Sequence, residues 1–181
     1  MNLKDHLNIK TKNGEPSWNS DDCFYLLAIN ANALPNHVAL VYKKKYFDLG
    51  FKKVHNGSDF DEVLTKLKRK KIPVIIFECT LTTHHDFISI AQKVFADNQS
   101  INTPEHTCLN PVNEIIETIY KQKIHSKVIF DLVEFLTENK FITNTFSLHL
   151  KMDSDETFQW KKYNHTDLIT YLTNQLSLKH A

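Results

Sequence analysis

Residues 23–51 read CFYLLAINANALPNHVALVYKKKYFDLGF, and this stretch decides the fold. It begins with an unbroken apolar run, residues 23–29, which follows two aspartates and precedes two asparagines. An apolar run of this length between turn-forming residues is typical of a buried strand. Two further β-rich segments, residues 38–42 and 46–51, are separated by three lysines. This pattern predicts a β-hairpin whose tip lies in solvent.

Five amphipathic helices are predicted downstream, because apolar residues there recur at spacings of three and four. The first begins at Ser58, which has capping-box spacing to Asp61. The third begins at about Cys108. The apolar faces of the five helices fall in residues 60–67, 87–94, 112–119, 128–136 and 168–176.

The remaining β-rich segments predict one more buried strand, residues 73–79, and a second hairpin formed by residues 146–152 and 157–163. Helices mixed with hairpins predict an α+β fold in which a mainly antiparallel sheet packs against helices. Residues 1–20 are polar and unpatterned, so we expect a loosely held N-terminal arm. A single domain is then expected over residues 21–181, since 181 residues suffice for one domain with a real core.

The charge balance argues against a nucleic-acid-binding protein. Twenty-two basic and 21 acidic residues leave a formal net charge of +1, whereas such proteins normally carry a basic excess on one face. The one concentrated basic stretch, residues 66–71, falls at the end of a predicted helix. Cations at that place match the negative end of the helix dipole, so we interpret the run as a solvated helix end.

The three cysteines, Cys23, Cys79 and Cys108, are odd in number and widely spaced, which predicts neither a disulfide framework nor a zinc ribbon. A metal site built from Cys79, His84, His85, His106 and Cys108 lacks any recurring ligand spacing. We therefore expect no metal and no cofactor.

The N-terminal residues contain no apolar core of a secretory signal, and no apolar stretch approaches the roughly 20 residues of a membrane-spanning helix. We expect a cytoplasmic protein without a transmembrane segment. Export by a specialised secretion system and the oligomeric state are left open by the sequence.

Cys108 is the first candidate for chemistry. It lies in HTCLNPVNEII, at the start of an amphipathic helix, where Pro111 is tolerated because first-turn N–H groups have no intrahelical partner. A thiol there faces the positive end of the helix dipole, which favours the nucleophilic thiolate. The structural alternative is a small buried apolar residue, as free cysteines frequently are.

His37 opens the strand HVALVY, where it is positioned to act as base and then as acid. Asp48 on the returning strand is the candidate that orients its imidazole. With a two- or four-residue loop the two side chains share a face of the hairpin, because side chains alternate along a strand. With a three-residue loop they lie on opposite faces and Asp48 is excluded. The sequence leaves this open, and His37 bonded to a loop carbonyl is the structural alternative.

The hairpin from His37 to Asp48 resembles the histidine hairpin of the circularly permuted papain-like families, which include lecithin:retinol acyltransferase-like proteins and permuted NlpC-like enzymes. In those families the cysteine follows later, at a helix start, in a pattern like NCEHFVNEL. The corresponding TCLNPVNEI matches it at Cys108, at Val112 and at the Asn113-Glu114 pair. The resemblance covers residues 21–122 and leaves residues 123–181 as a helix-hairpin-helix extension.

Three departures from the family pattern stand out. Thr107 replaces the asparagine before the cysteine, and lysines replace the hairpin glycines. The third polar residue, usually a histidine, falls on Leu49, so that Asp48 would substitute for it one position early.

The resemblance implies a cysteine-dependent hydrolase, such as a thiol protease, or an acyltransferase. Cys108 would attack an amide, ester or isopeptide carbonyl of a peptide, protein or acyl-lipid substrate, with His37 and Asp48 as its partners. A rival hypothesis takes Cys23 as the nucleophile, because the order Cys23, His37, Asp48 resembles that of transglutaminase-like folds. We favour Cys23 as a strand residue, since the gap before His37 is short for a nucleophile helix. The remaining hypothesis is a non-catalytic papain-like domain that binds a protein partner.

Overall fold

The computed structural model describes residues 6–51, 53–81, 86–101, 103–153 and 155–179. The chain is an α+β protein, as the sequence predicts. The strands described are β1 (His6–Lys10), β2 (Lys12–Asn13), β3 (Cys23–Ile29), β4 (His37–Tyr42), β5 (Lys45–Leu49), β6 (Val54–Asp59), β7 (Val74–Thr80), β8 (Ile142–Leu148) and β9 (Thr157–Lys161). The helices described are α1 (Phe60–Arg69), α2 (Phe87–Asp97), α3 (Leu109–Tyr120), α4 (Ile129–Glu138) and α5 (His165–Lys179).

The main sheet has seven strands in the order β2-β8-β7-β3-β4-β5-β6. Its pairings are antiparallel except for β2 with β8, in agreement with the mainly antiparallel sheet expected. A separate two-stranded sheet joins β1 to β9. No helix within the described ranges is long and apolar enough to cross a lipid bilayer.

The central strand β3 is buried on both faces, which explains its uninterrupted apolar sequence. Phe24 and Leu26 point into a core shared with helices α2 to α5. Tyr25 and Leu27 point to the opposite face, into a smaller core that includes α1. Because side chains alternate along a strand, a sheet covered on both sides requires apolar residues at every position.

The second predicted hairpin is wrong. Strand β8 pairs with β7 on one side and with β2 on the other, whereas β9 pairs with β1. Strands β1 and β2 both lie within residues 1–20, which the sequence predicts to be a loosely held arm. A β-rich pattern identifies a strand, but its partner depends on which faces are buried together. Trp160 of β9, for example, is fully buried in the larger core.

The N-cap of α1 is Asp59, one residue after the predicted Ser58. The carboxylate of Asp59 accepts a hydrogen bond from the backbone N–H of Asp61 at 2.8 Å and so caps the helix. Ser58 belongs to β6 instead, and its hydroxyl contacts Nδ1 of His55 at 2.9 Å. Both residue types cap helices well, so the sequence pattern alone did not separate them.

The hairpin between β4 and β5 closes through a two-residue loop. Tyr42 pairs with Lys45, which leaves only Lys43 and Lys44 in the turn. Both have positive φ, 47° and 59°, as a type I′ turn requires. This turn matches the right-handed twist of the strands, and it settles the loop length that the sequence left open.

We predict that the double substitution Lys43→Asn with Lys44→Gly raises the Tm by about 1–4 °C, because Asn and Gly adopt positive φ more readily than Lys. Thermal unfolding followed by circular dichroism measures the change. The control variant Lys44→Val should lower the Tm, since a β-branched residue is disfavoured at positive φ. A double variant less stable than the parent would contradict the two-residue turn.

Candidate active site

The register of β4 against β5 brings His37 and Asp48 together. Ala39 lies directly opposite Asp48, and His37 is two residues from Ala39, so it shares a face with Asp48. Nε2 of His37 is 2.8 Å from Oδ2 of Asp48. The imidazole of His37 and the carboxylate of Asp48 are therefore in hydrogen-bond contact.

Asp48 is held from a second side by Tyr46, whose hydroxyl donates to the same oxygen, Oδ2, at 2.8 Å. Burial raises the pKa of the Asp48 carboxyl, but the hydrogen bond and charge of His37 and the bond from Tyr46 outweigh it, so that the pKa is lowered. Burial and the nearby Asp48 charge raise the pKa of Tyr46, which keeps its hydroxyl a donor. The buried Oδ1 of Asp48 has no hydrogen-bond partner among the described residues.

Cys108 immediately precedes α3, and the start of that helix is built by its neighbours. The hydroxyl of Thr107 accepts from the N–H of Leu109 at 3.1 Å. In return, the side-chain oxygen of Asn110 accepts from the N–H of Thr107 at 2.6 Å. This reciprocal pair works like a capping box. It fixes the backbone around Cys108, whose side chain is partly exposed.

The thiol of Cys108 meets the imidazole of His37. Both residues line the same cavity, and Nε2 of the ring faces Asp48. Burial lowers the pKa of His37, but the hydrogen bonds and charges of Asp48 and Cys108 outweigh it and raise the pKa to about 10. At neutral pH the ring is therefore an imidazolium between an aspartate and a sulfur.

The loop before His37 is pinned by Asn36, which is 4% exposed. Its side-chain nitrogen donates to the carbonyls of Asn30 and Ala33, at 3.0 and 2.8 Å. Its side-chain oxygen accepts from the indole N–H of Trp160 at 3.1 Å. Since β9 carries Trp160, the C-terminal part of the chain directly supports the position of the histidine.

Cys23 does not approach His37. Ile29, at the other end of β3, is the residue paired with His37, so Cys23 lies about 20 Å away along the strand at roughly 3.3 Å per residue. Its thiol donates instead to the hydroxyl of Tyr25 at 3.3 Å. Cys79 is fully buried in the larger core, and burial raises the pKa of its thiol. The structure thus brings Cys108, and neither of the other two cysteines, to the histidine.

Of the metal ligands considered from the sequence, His84 and His85 lie outside the described residues. Within the described ranges, no group of three or more His, Cys, Asp or Glu side chains is arranged to hold a metal ion.

Sequence reasoning missed three supporting residues. Tyr46 was detectable in principle, because it stands two positions before Asp48 and so shares its face. Asn36 and Trp160 carry no comparable signal, since their contact joins segments that are far apart in the sequence.

Comparison of the chain with models of known protein families, with curated proteins and with solved structures gives no match. The chemistry of the site therefore has to be argued from its own geometry.

We predict that Asp48→Asn lowers the pKa of His37, because the substitution removes the carboxylate that favours the charged ring and leaves the burial that opposes it. In the parent protein, the contribution of His37 to stability should be complete below pH 6.5 and should disappear as the pH rises to about 10. In Asp48→Asn the loss of stability between pH 6.5 and about 10 should be smaller than in the parent protein.

Titration of the His37 ring by NMR, together with urea unfolding at several pH values, measures both effects. Asp61→Asn is the matched control, because it removes an exposed aspartate that pairs with Lys44 and should leave the His37 pKa unchanged. A parent His37 that titrates near 6.5 would contradict the arrangement.

Proposed function

We propose that this protein is a cysteine-dependent hydrolase or acyltransferase that acts on an amide, ester or isopeptide carbonyl. Cys108 is the nucleophile, His37 is the acid and base, and Asp48 positions His37. The observation that carries the proposal is that Cys108 and His37 line one cavity, while Nε2 of His37 is 2.8 Å from Oδ2 of Asp48. Nucleophile, base and orienting group in hydrogen-bond contact are the signature of nucleophilic catalysis.

In the first step the thiolate of Cys108 attacks the carbonyl carbon and a C–S bond forms. The carbonyl π electrons move to the oxygen, which becomes an oxyanion. As the tetrahedral intermediate collapses, the bond to the leaving nitrogen or oxygen breaks and His37 gives that atom its proton. The product of this step is a thioester on Cys108 and a neutral His37.

In the second step neutral His37 accepts a proton from water, and the resulting nucleophile attacks the thioester. The C–S bond breaks, the carboxylic acid leaves, and thiolate and imidazolium are restored. Hydrolysis is the default outcome; an amine or hydroxyl in place of water makes the same chemistry a transfer. Asp48 stabilises the imidazolium at the start and end of this cycle.

The oxyanion requires a hydrogen-bond donor close to the sulfur. The N–H groups of Leu109 and Asn110 both donate to Thr107, so they are engaged. The backbone N–H of Cys108 itself has no partner in the described part of the chain, and we assign the oxyanion to it.

The order of elements favours a circularly permuted papain-like arrangement for this site. The histidine strand β4 precedes the cysteine helix α3 in the chain, and α3 packs against β4. The transglutaminase-like alternative is disfavoured because Cys23 lies at the far end of β3 from His37.

We predict that iodoacetamide at pH 6 alkylates Cys108 at least about tenfold faster than Cys23 or Cys79, because Cys108 is partly exposed beside His37 whereas the other two cysteines are buried. His37→Ala should remove this advantage. Peptide mass spectrometry of labelled protein gives the rate at each cysteine, and circular dichroism verifies that each variant is folded.

His125→Ala is the matched control. His125 is exposed in the loop between α3 and α4, so its removal should leave the labelling of Cys108 unchanged. Equal, slow labelling of all three cysteines would refute the enzyme and favour a non-catalytic domain that binds a protein partner. Preferential labelling of Cys23 would favour the transglutaminase-like alternative.

A further inference from the structure

A cavity of about 210 Å³ opens beside the sulfur of Cys108 and the ring of His37. Its walls come from β4 and β5, from the first turns of α3 and α4, and from α5. The lining is mainly aliphatic and includes Val38, Leu49, Leu109, Ile129, Leu168 and Leu172. When Cys108 attacks a carbonyl, the neighbouring group of the substrate lies at this cavity.

Asn30 and Tyr171, which also line the cavity, are exposed residues, whereas the more buried polar side chains of the lining are engaged elsewhere. The side chain of Asn36 is used by two carbonyls and by Trp160. The Thr107 hydroxyl is used by Leu109 and Asn110, and burial raises the pKa of Tyr163, so that its hydroxyl stays neutral. Apart from His37, the described lining contains no Asp, Glu, Lys, Arg or His. His37 is itself paired with Asp48, so a charged group placed here would lose its hydration without gaining a free partner.

The size of the cavity limits the group further. A cavity of about 150 Å³ lined by apolar side chains accommodates benzene. A space of about 210 Å³ therefore fits one branched aliphatic or aromatic group. A long alkyl chain would have to leave it.

The cavity continues outward into a shallower groove, which shares Pro35, Tyr163, Leu168 and Tyr171 with it. Leu34 and Tyr171 border this groove and are each 39% exposed, unusually so for large apolar side chains of the described chain. Lys161, Lys162 and Asp167 line its outer part. The rest of a substrate can lie in this groove, beside the apolar side chains of Leu34 and Tyr171.

We propose that the substrate carries one compact, uncharged apolar group next to the carbonyl that Cys108 attacks, and that this group occupies the cavity. The inference rests on the proposed function, since it assumes that Cys108 is the nucleophile. Charged groups and long alkyl chains are excluded at this position by lining and by size.

The test uses a series of chloromethyl ketones on the intact protein. In each, the Cys108 thiolate displaces chloride, so a C–S bond replaces the C–Cl bond and chloride leaves. N-acetyl derivatives of phenylalanine, leucine, glycine, lysine and glutamate vary the group next to the carbonyl, and a long-chain alkyl chloromethyl ketone is included. Each rate of Cys108 alkylation is divided by the rate with iodoacetamide.

The phenylalanine and leucine probes should react about tenfold to a hundredfold faster than the glycine probe, as burial of one such side chain predicts. The lysine, glutamate and long-chain probes should be no faster than glycine. Equal rates across the series, or a charged or long-chain probe reacting fastest, would overturn the inference. If Cys108 still shows its advantage with iodoacetamide, the proposed function survives that result; if it does not, the function itself fails.

Leu172→Phe, which fills the cavity from α5, should remove the preference for phenylalanine over glycine when each rate is divided by the iodoacetamide rate of the same variant. Leu176→Phe is the control, because Leu176 lies on the same helix outside the described lining. Leu172→Ala enlarges the cavity and should favour a naphthylalanine probe over phenylalanine, which keeps the test decisive if Leu172→Phe does not fold. Unchanged preferences in a folded Leu172 variant would count against the cavity as the binding site.

Discussion

The two-residue turn at Lys43 and Lys44 is the constraint on which the site depends. It places Ala39 opposite Asp48, and a slip of one residue would turn the aspartate to the other face of the sheet. His37 would then keep its burial and lose the carboxylate that stabilises its charged form. The position of an ordinary surface turn thus decides whether the imidazole is charged at neutral pH.

The charged side chains of the site are removed from water, and they stabilise one another instead. Asp48 is largely buried, and one of its oxygens accepts from both His37 and Tyr46 while the other has no partner among the described residues. A buried carboxylate with an unpartnered oxygen is unfavourable by itself. It is sustained by the imidazolium beside it, which explains why the pKa values of Asp48 and His37 move in opposite directions.

Distant parts of the chain hold this pair against the sulfur. Thr107 and Asn110 define the first turn of α3 and with it the position of Cys108. Trp160, far along the chain, bonds Asn36 beside His37. The strand β9 that carries Trp160 is itself paired with β1 near the N-terminus. Cys108 and His37 are therefore positioned by elements from both ends of the sequence.

The α+β class, the bounds of β3 and the helical start at Cys108 followed from the sequence alone, because each depends on local patterns of apolar and capping residues. The partners of β8 and β9 did not, since any exposed strand edge offers the same backbone groups and only burial of particular faces selects among them. Likewise, three lysines predicted a turn but not its length. The placement of Cys108 beside His37 and of His37 beside Asp48 was decided by tertiary structure, because register and helix packing determine which side chains from distant segments meet.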